Sequence, residues 1–361
     1  MNSVIDQGQQ VRSAEAFDPA PVTAWLQGKV EGLQGEPEVT QFTGGASNWT
    51  YRLDYGTPAH DYVLRRAPAG TKARSAHDMQ REYGLQKALR EVFPWVPEMV
   101  GYCADPELIG TDFYVMQRIA GVIPRKNLPK GLNLSSSQAQ QLCYAMLDKL
   151  VALHQVDIHN SGLQEFGKGE GYAQRQIEGW AKRFQQARTW NVPSGQRIIN
   201  WLRANMPETE RLCMTHNDYR LDNLILNPND ATDILAVLDW ELATIGDPLM
   251  EVGNMLAYWT QADDDPIARS IRRQPTHLPG MLTRQQIIQY YCDKAGVEVD
   301  SFAFYEVYGL FRLSAIVQQI YYRYHHGQTR NKAFKNFWFL VHYLHWRCRK
   351  VMRAHQRQGR R

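Results

Sequence analysis

Leu212 to Pro248 reads LCMTHNDYRLDNLILNPNDATDILAVLDWELATIGDP. Two short apolar runs in it, NLIL from Asn223 and ILAVL from Ile234, read as strands meant for burial. Yet they stand among His216, Asp218, Asp222, Asn223 and Asp239. Charges are not buried without a partner. Either something cationic sits there, or the polar cluster lines a cleft.

The spacing favours a cation. Asp218 falls in a loop, Asn223 follows five residues later at the start of a strand, and Asp239 ends the second strand 16 residues beyond it. Two adjacent strands that end in oxygen-bearing side chains can aim Asn223 and Asp239 at one metal ion. Few ligands, all oxygen, suit Mg2+, which keeps several waters and shares its shell with phosphates. Asp218 is then a spare carboxylate, able to orient a hydroxyl and take its proton. Those are the parts that phosphoryl transfer needs. A lone D-x-x-x-x-N carries no weight, because Asp and Asn near turns commonly bond their own backbone. H-x-D-x-x-x-x-N followed by an apolar strand and LDWE is far narrower.

The bulk numbers allow this reading. The chain has 361 residues, room for two domains or lobes, with 43% hydrophobic and 22% charged residues, ordinary for a globular protein. No apolar run reaches the ~18 residues of a membrane span. MNSVIDQGQQVRSAEAF lacks the charged start and apolar core of a secretion signal. The five cysteines are scattered and form no CxxC pair, which fits a reducing cytoplasm and argues against a zinc site or a disulfide framework. A net charge of +4 is too modest to imply nucleic acid, and the basic tail from Arg347 reads as a solvated helix end. The expectation is a cytoplasmic monomer or homodimer with no membrane and no nucleic-acid partner.

Upstream, residues 1–37 read as a disordered or helical lead-in. From Val39 to Arg66 short apolar runs alternate with turn residues as strand, Gly turn, strand, turn, strand. Met79, Tyr83, Leu85, Leu89 and Val92 recur at helical spacing from His77 to Glu91, and EMVGYCADPELIGTDFYVMQRIAG reads as two further strands. Residues 38–121 are thus a small lobe with an antiparallel sheet and one helix. Residues 122–361 are mainly helical, with helices expected near Gln138–Gln155, Tyr172–Trp190, Gly195–Met206, Leu249–Trp259, Arg284–Ala295, Phe302–Tyr324 and Lys332–Met352, and a loop over Thr260–Leu282. The fold class is α+β and bilobal.

A phosphoryl-transfer reading asks for three parts in the small lobe. FTGGASNWTYRL offers a Gly turn whose tip, Gly44, Gly45, Ser47 and Asn48, can cover phosphates with backbone N–H groups. YVLRRAP places Arg65 on the third strand, to pair with Glu82 of the next helix; Arg66 competes, but alternation puts the two on opposite faces. FYVMQRIAG runs from strand to connector, with Met116 against an adenine and the backbone of Gln117 and Ile119 on its edge.

THNDYRLDNLIL, AVLDWELATIGDP, GGASNWTYRL and YVLRRAP with REYGL together resemble the aminoglycoside phosphotransferase and choline kinase superfamily, the protein-kinase-like small-molecule kinases. The likeness covers about Val39 to Trp259. It looks strongest to bacterial phosphotransferase-family proteins related to the kinase-like part of some acyl-CoA dehydrogenase fusions. The resemblance implies a kinase that uses ATP and Mg2+ on a small-molecule hydroxyl acceptor. Asp218 would be the catalytic base, Asn223 and Asp239 the metal ligands, and Arg65, oriented by Glu82, the phosphate contact. His216 would brace the loop and Asp247 would hold loop structure. The chain departs from the pattern in having HND for HGD and Glu251 for an Asp after GDP; neither change removes a catalytic part. Arg312 and the run YYRYHH suit a hydroxy acid or hydroxyacyl thioester as acceptor better than a polyamine sugar. The alternatives are an aminoglycoside, choline or sugar kinase, or a nucleotide-binding regulatory protein without turnover.

Overall fold

A computed structural model of the chain describes residues 4–42, 48–68 and 78–358. In chain order its elements are α1 (Pro19–Gln27), β1 (Glu38–Phe42), β2 (Trp49–Asp54), β3 (Asp61–Arg66), α2 (Met79–Arg90), β4 (Met99–Cys103), β5 (Phe113–Gln117), α3 (Ser136–His154), α4 (Tyr172–Gln186) and α5 (Gln196–Ala204). They continue as β6 (Cys213–Thr215), β7 (Leu224–Leu226), β8 (Ile234–Val237), β9 (Thr244–Gly246), α6 (Pro248–Ala257), α7 (Pro266–Ser270), α8 (Arg284–Ala295), α9 (Ala303–His325) and α10 (Phe337–Gln358). One unit comprises Met1–Ala145, His159–Phe166 and Leu221–Leu242; the other comprises Met146–Ile158, Gly167–Arg220 and Ala243–Arg361.

In the first unit, strand alternation builds a two-faced sheet in the order β1-β2-β3-β5-β4, antiparallel throughout. Tyr51, Leu53, Tyr62, Leu64, Phe113 and Val115 share one face with Val22 and Leu26 of α1. Val63, Tyr114 and Met116 share the other with Met79 of α2. Besides the helix expected over 77–91, the sheet therefore carries α1 from the lead-in. Both helices start on a capped turn: Asp18 accepts from the Ala20 N–H ahead of Pro19, and Asp78 accepts from the Arg81 N–H. The β7–β8 hairpin belongs to this unit, and Val122, just past β5, exchanges backbone hydrogen bonds of 2.9 and 2.8 Å with Leu226.

The second unit is mainly helical. α6 and α9 come into backbone contact where Gly253 faces Gly309. A Cβ on Gly309 would lie 2.0 Å from the Gly253 carbonyl oxygen, and one on Gly253 would lie 2.2 Å from that of Tyr305. Ala is the better helix former by about 1 kcal/mol, but forcing a methyl into a packed backbone contact costs about 1–3 kcal/mol or more. Gly309→Ala should therefore lower the urea midpoint; an unchanged or raised midpoint would show that the helices can part freely.

Three elements here, β6, β9 and α7, were absent from the sequence reading. β6 and β9 pair antiparallel across Cys213↔Gly246 to Thr215↔Thr244, each too short to show a period. Within the expected loop over Thr260–Leu282, α7 forms where Asp265 accepts from the N–H groups of Ile267 and Ala268, with Pro266 at the first helical position. That Asp-Pro start was a legible signal.

Candidate active site

β3 settles the two arginines by alternation. Arg66 points to the α1 face, where it is 4% exposed, donates to the carbonyls of Ile109 and Glu15 at 2.8 Å each, and lies about 5 Å from the rings of Phe17, Trp49 and Tyr51. It is a packing residue. Arg65 points to the α2 face and gathers three carboxylates. Its Nη2 donates to Asp239 Oδ1 at 2.6 Å and to Glu241 Oε2 at 2.9 Å, and its Nε lies 3.3 Å from Glu82 Oε1.

Each partner is itself held. Glu82, on α2, is 3% exposed and accepts from the Tyr114 hydroxyl at 2.9 Å; Gln86 in turn donates to Tyr114 at 3.1 Å. Burial raises the Glu82 carboxyl above its ordinary range against the pull of Arg65. Burial works against the Arg65 charge, but Glu82 and Asp239 hold its pKa well above the usual arginine value. Asn48 donates to Glu241 at 3.2 Å. Trp240, between the two acids, is fully buried against Phe93 and donates to the Val237 carbonyl at 2.9 Å. That anchor turns the flanking Asp239 and Glu241 outward to the same guanidinium.

Asp239 sits at φ 68°, in the left-handed region that non-glycine residues rarely occupy. Asn223 is 8% exposed, and its carbonyl accepts the Leu238 N–H at 2.8 Å, so the two proposed metal ligands lie on directly bonded segments of one hairpin. Among the described residues no group of three or more His, Cys, Asp or Glu side chains could hold a metal ion. A cation here would draw on Asn223 and Asp239 and fill its shell with water and phosphate, as Mg2+ does. The donor set fits, because Asn223 and Asp239 offer oxygen atoms, the ligands that Mg2+ takes.

The remaining residues that the sequence suggests for a nucleotide site fall in three groups. Gly44, Gly45 and Ser47 lie outside the described residues. Met116 is 8% exposed and packs with Val63, Met79 and Tyr114. The Gln117 N–H is already spent on the Glu98 carbonyl at 2.8 Å, whereas Ile119 is half-buried just past the strand.

In the second unit, Asp218 follows the buried pair His216 and Asn217. Asn217 adopts φ 63°, which explains why Asn can stand where the family pattern has glycine. Its side chain is used as well: Oδ1 accepts from the Tyr172 hydroxyl and Nδ2 donates to Thr215 Oγ1, both at 3.0 Å. Glu251, 1% exposed on α6, accepts the backbone N–H of His216 at 3.0 Å and of Asn217 at 2.5 Å. His154 Nε2 meets the same carboxylate at 2.8 Å, and its Nδ1 meets the Tyr291 hydroxyl at 2.5 Å. The Asp218 N–H donates to His216 Nδ1 at 3.2 Å, a contact that braces the loop. Asp247 caps α6 by accepting the Met250 N–H at 2.9 Å. The Asp218 carboxylate is half-buried, 3.3 Å from Arg220, which stacks over Tyr258. Arg312 Nη2 donates to the Asn217 carbonyl at 3.0 Å.

Sequence reasoning passed over Glu241, though LDWE displays it two residues beyond Asp239. It also passed over His154, Tyr291 and Arg220. No local pattern marks the first two, because their contacts span 97 and 137 residues.

An antiparallel sheet with an Arg–Glu pair, and a helical unit with an H-x-D loop, are the parts of a protein-kinase-like phosphotransferase. The chain belongs to the phosphotransferase enzyme family, whose model matches residues 38–284. Mouse acyl-CoA dehydrogenase family member 10 is 37% identical over 297 residues, covering 82% of this chain and 27% of that protein. Human acyl-CoA dehydrogenase family member 11 is 32% identical over 332 residues, covering 90% and 41%. The chain thus spans well under half the length of these relatives. A solved Ralstonia eutropha structure, described as a candidate aminoglycoside phosphotransferase, superposes with a TM-score of 0.76 at 30% identity over 91% of this chain and 96% of that one. Choline kinase from Cryptosporidium parvum shares the fold, with a TM-score of 0.63 at 14% identity over 95% and 97%.

Proposed function

We propose that the chain moves the γ-phosphoryl group of ATP, with Mg2+, to the hydroxyl of an acidic small molecule, a hydroxy acid or a hydroxyacyl thioester. Bound Mg2+ would neutralise phosphate charge and align the transferring group. Asn223 and Asp239 would hold the metal and Arg65 would contact the nucleotide phosphates, with Glu82 and Glu241 orienting Arg65. Asp218 takes the hydroxyl proton as the oxygen–phosphorus bond forms and the bond to the departing ADP oxygen breaks. Positioning and fixed charge supply most of the rate, because this transfer needs little covalent help.

One observation carries the acceptor class. The loop that bears Asp218 is flanked by guanidiniums, Arg220 at its carboxylate and Arg312 at the preceding carbonyl. A polycationic acceptor would meet like charge there; an acidic one would not. The relatives named as acyl-CoA dehydrogenase family members support an acyl thioester.

The test is ADP release from Mg·ATP across hydroxyacyl-CoAs, free hydroxy acids, choline, sugars and aminoglycosides. Turnover on an acidic acceptor supports the reading, and turnover on choline or an aminoglycoside alone would replace it. Asn223→Ala and Asp239→Ala should each weaken Mg-dependent ATP binding by at least about tenfold. Unchanged binding in both would remove the metal assignment.

A further inference from the structure

Within the second unit, α4 and α9 bring two arginines to one indole. The Arg183 guanidinium lies 3.9 Å from the Trp180 ring centroid and that of Arg312 lies 5.2 Å from it. Gly179 makes room: a Cβ there would be 3.3 Å from an Arg183 terminal nitrogen. Gln176 ties the wall together, accepting from Trp180 Nε1 at 3.2 Å and from the Tyr308 hydroxyl at 3.3 Å.

The charges do not close. Among the described residues neither arginine has a carboxylate partner, and the Arg183 guanidinium makes no hydrogen bond at all. Arg312 is 5% exposed with one hydrogen bond, to the Asn217 carbonyl. Two like charges sharing one ring are poorly compensated by its π face, since buried charge needs an opposite charge and hydrogen bonds. Burial, joined by repulsion from Arg312, holds the Arg183 guanidinium below its ordinary value. Arg183 and Trp180 keep a half-exposed side, so a solute can reach them.

We propose that Arg183, Arg312, Trp180 and Tyr308 form an anion-binding subsite that takes the acidic group of the acceptor. The subsite rests on the phosphoryl-transfer reading above, because Arg312 ties it to the residue before Asp218. Its ligand is a carboxylate or phosphate oxygen set. Such a group belongs either to a free hydroxy acid or to the nucleotide portion of a thioester carrier. Arg183 supplies its unused planar donors to two oxygens at once, a geometry a lysine does not reproduce.

The experiment is titration calorimetry on the full chain in Mg·ADP, with 3-hydroxybutyrate, coenzyme A and choline as probes, on wild type, Arg183→Gln and Arg183→Lys. The Arg183 guanidinium makes no hydrogen bond among the described residues, so the variants should melt with the wild type, and the melt is recorded alongside. The expected result is binding of one of the anions, weakened at least about tenfold in Arg183→Gln and partly restored in Arg183→Lys. Hydroxybutyrate as the tighter ligand assigns the carboxylate source, and coenzyme A as the tighter ligand assigns the phosphate source. Choline binding that depends on Arg183, anion binding equal in all three proteins, or no anion binding in the millimolar range would each overturn the subsite. Arg183-dependent binding without phosphoryl transfer would count against the transfer reading alone. Asp218-dependent turnover that ignores Arg183 would remove the subsite alone.

Discussion

Asp218→Ala should leave the protein folded and cut acceptor-dependent ADP release by about a hundredfold to ten-thousandfold, the range a positioned general base contributes. The stability half of this expectation follows from exposure. The side chain is 18% exposed, and its ion pair with Arg220 is equally exposed. Fully exposed pairs contribute about 0–1 kcal/mol, and this half-buried pair keeps contact with solvent on both partners. The loop is held instead by groups the substitution leaves in place, the His216 and Asn217 N–H groups on Glu251 and the Asp218 N–H on His216. Asp218→Asn keeps the shape and removes the basicity, so it should fall nearly as far as Ala. Loss of less than tenfold in both variants, with unchanged melting, would mean that Asp218 does not take the proton.

Glu251→Ala should be costly twice. Its carboxylate is 1% exposed and receives the N–H groups of His216 and Asn217 together with His154 Nε2. Truncation strands all three in the interior, and breaking such a buried charged partnership costs about 3–5 kcal/mol. The same change releases Asn217 from φ 63°, a conformation that persists only when its surroundings enforce it. A lower melting temperature should therefore accompany a fall in kcat, with KM for ATP changed little. Glu251→Gln keeps one acceptor oxygen and should recover part of both. The idea is lost if Glu251→Ala melts within about 1 kcal/mol of the wild type, or if the damage falls on KM for ATP alone. The chain's use of Glu where the family pattern has Asp is thus a matter of reach: one carboxylate bridges two backbone donors and an imidazole.

The neighbouring His154–Tyr291 contact shows where sequence reading stops. His154 ends α3 and Tyr291 lies on α8. Each looks like an ordinary helical residue, and only the packing of distant helices joins them at the carboxylate that carries the loop. Arg183 and Arg312 are the same case: neither α4 nor α9 alone reveals that they share the ring of Trp180.

The sequence by itself determined what is local. Period-two alternation separated Arg65 from Arg66, because successive strand side chains must point to opposite faces. Helical spacing placed α2, α8 and α9 within a residue or two, because a buried stripe recurs every 3.6 residues. H-x-D-x-x-x-x-N and LDWE marked Asp218, Asn223 and Asp239, because a loop and a hairpin fix their spacing within a few residues. Beyond the Arg65–Glu82 pair, only the tertiary structure decided which charges meet. It put Glu241 on Arg65 beside Asp239, set Glu251 under the Asp218 loop, and brought the Arg183 and Arg312 guanidiniums to one indole. The physical reason is that such contacts depend on where separate elements come to rest, and that is settled by burying whole faces of helix and sheet. A charged side chain's partner is then whichever group the packing leaves within reach.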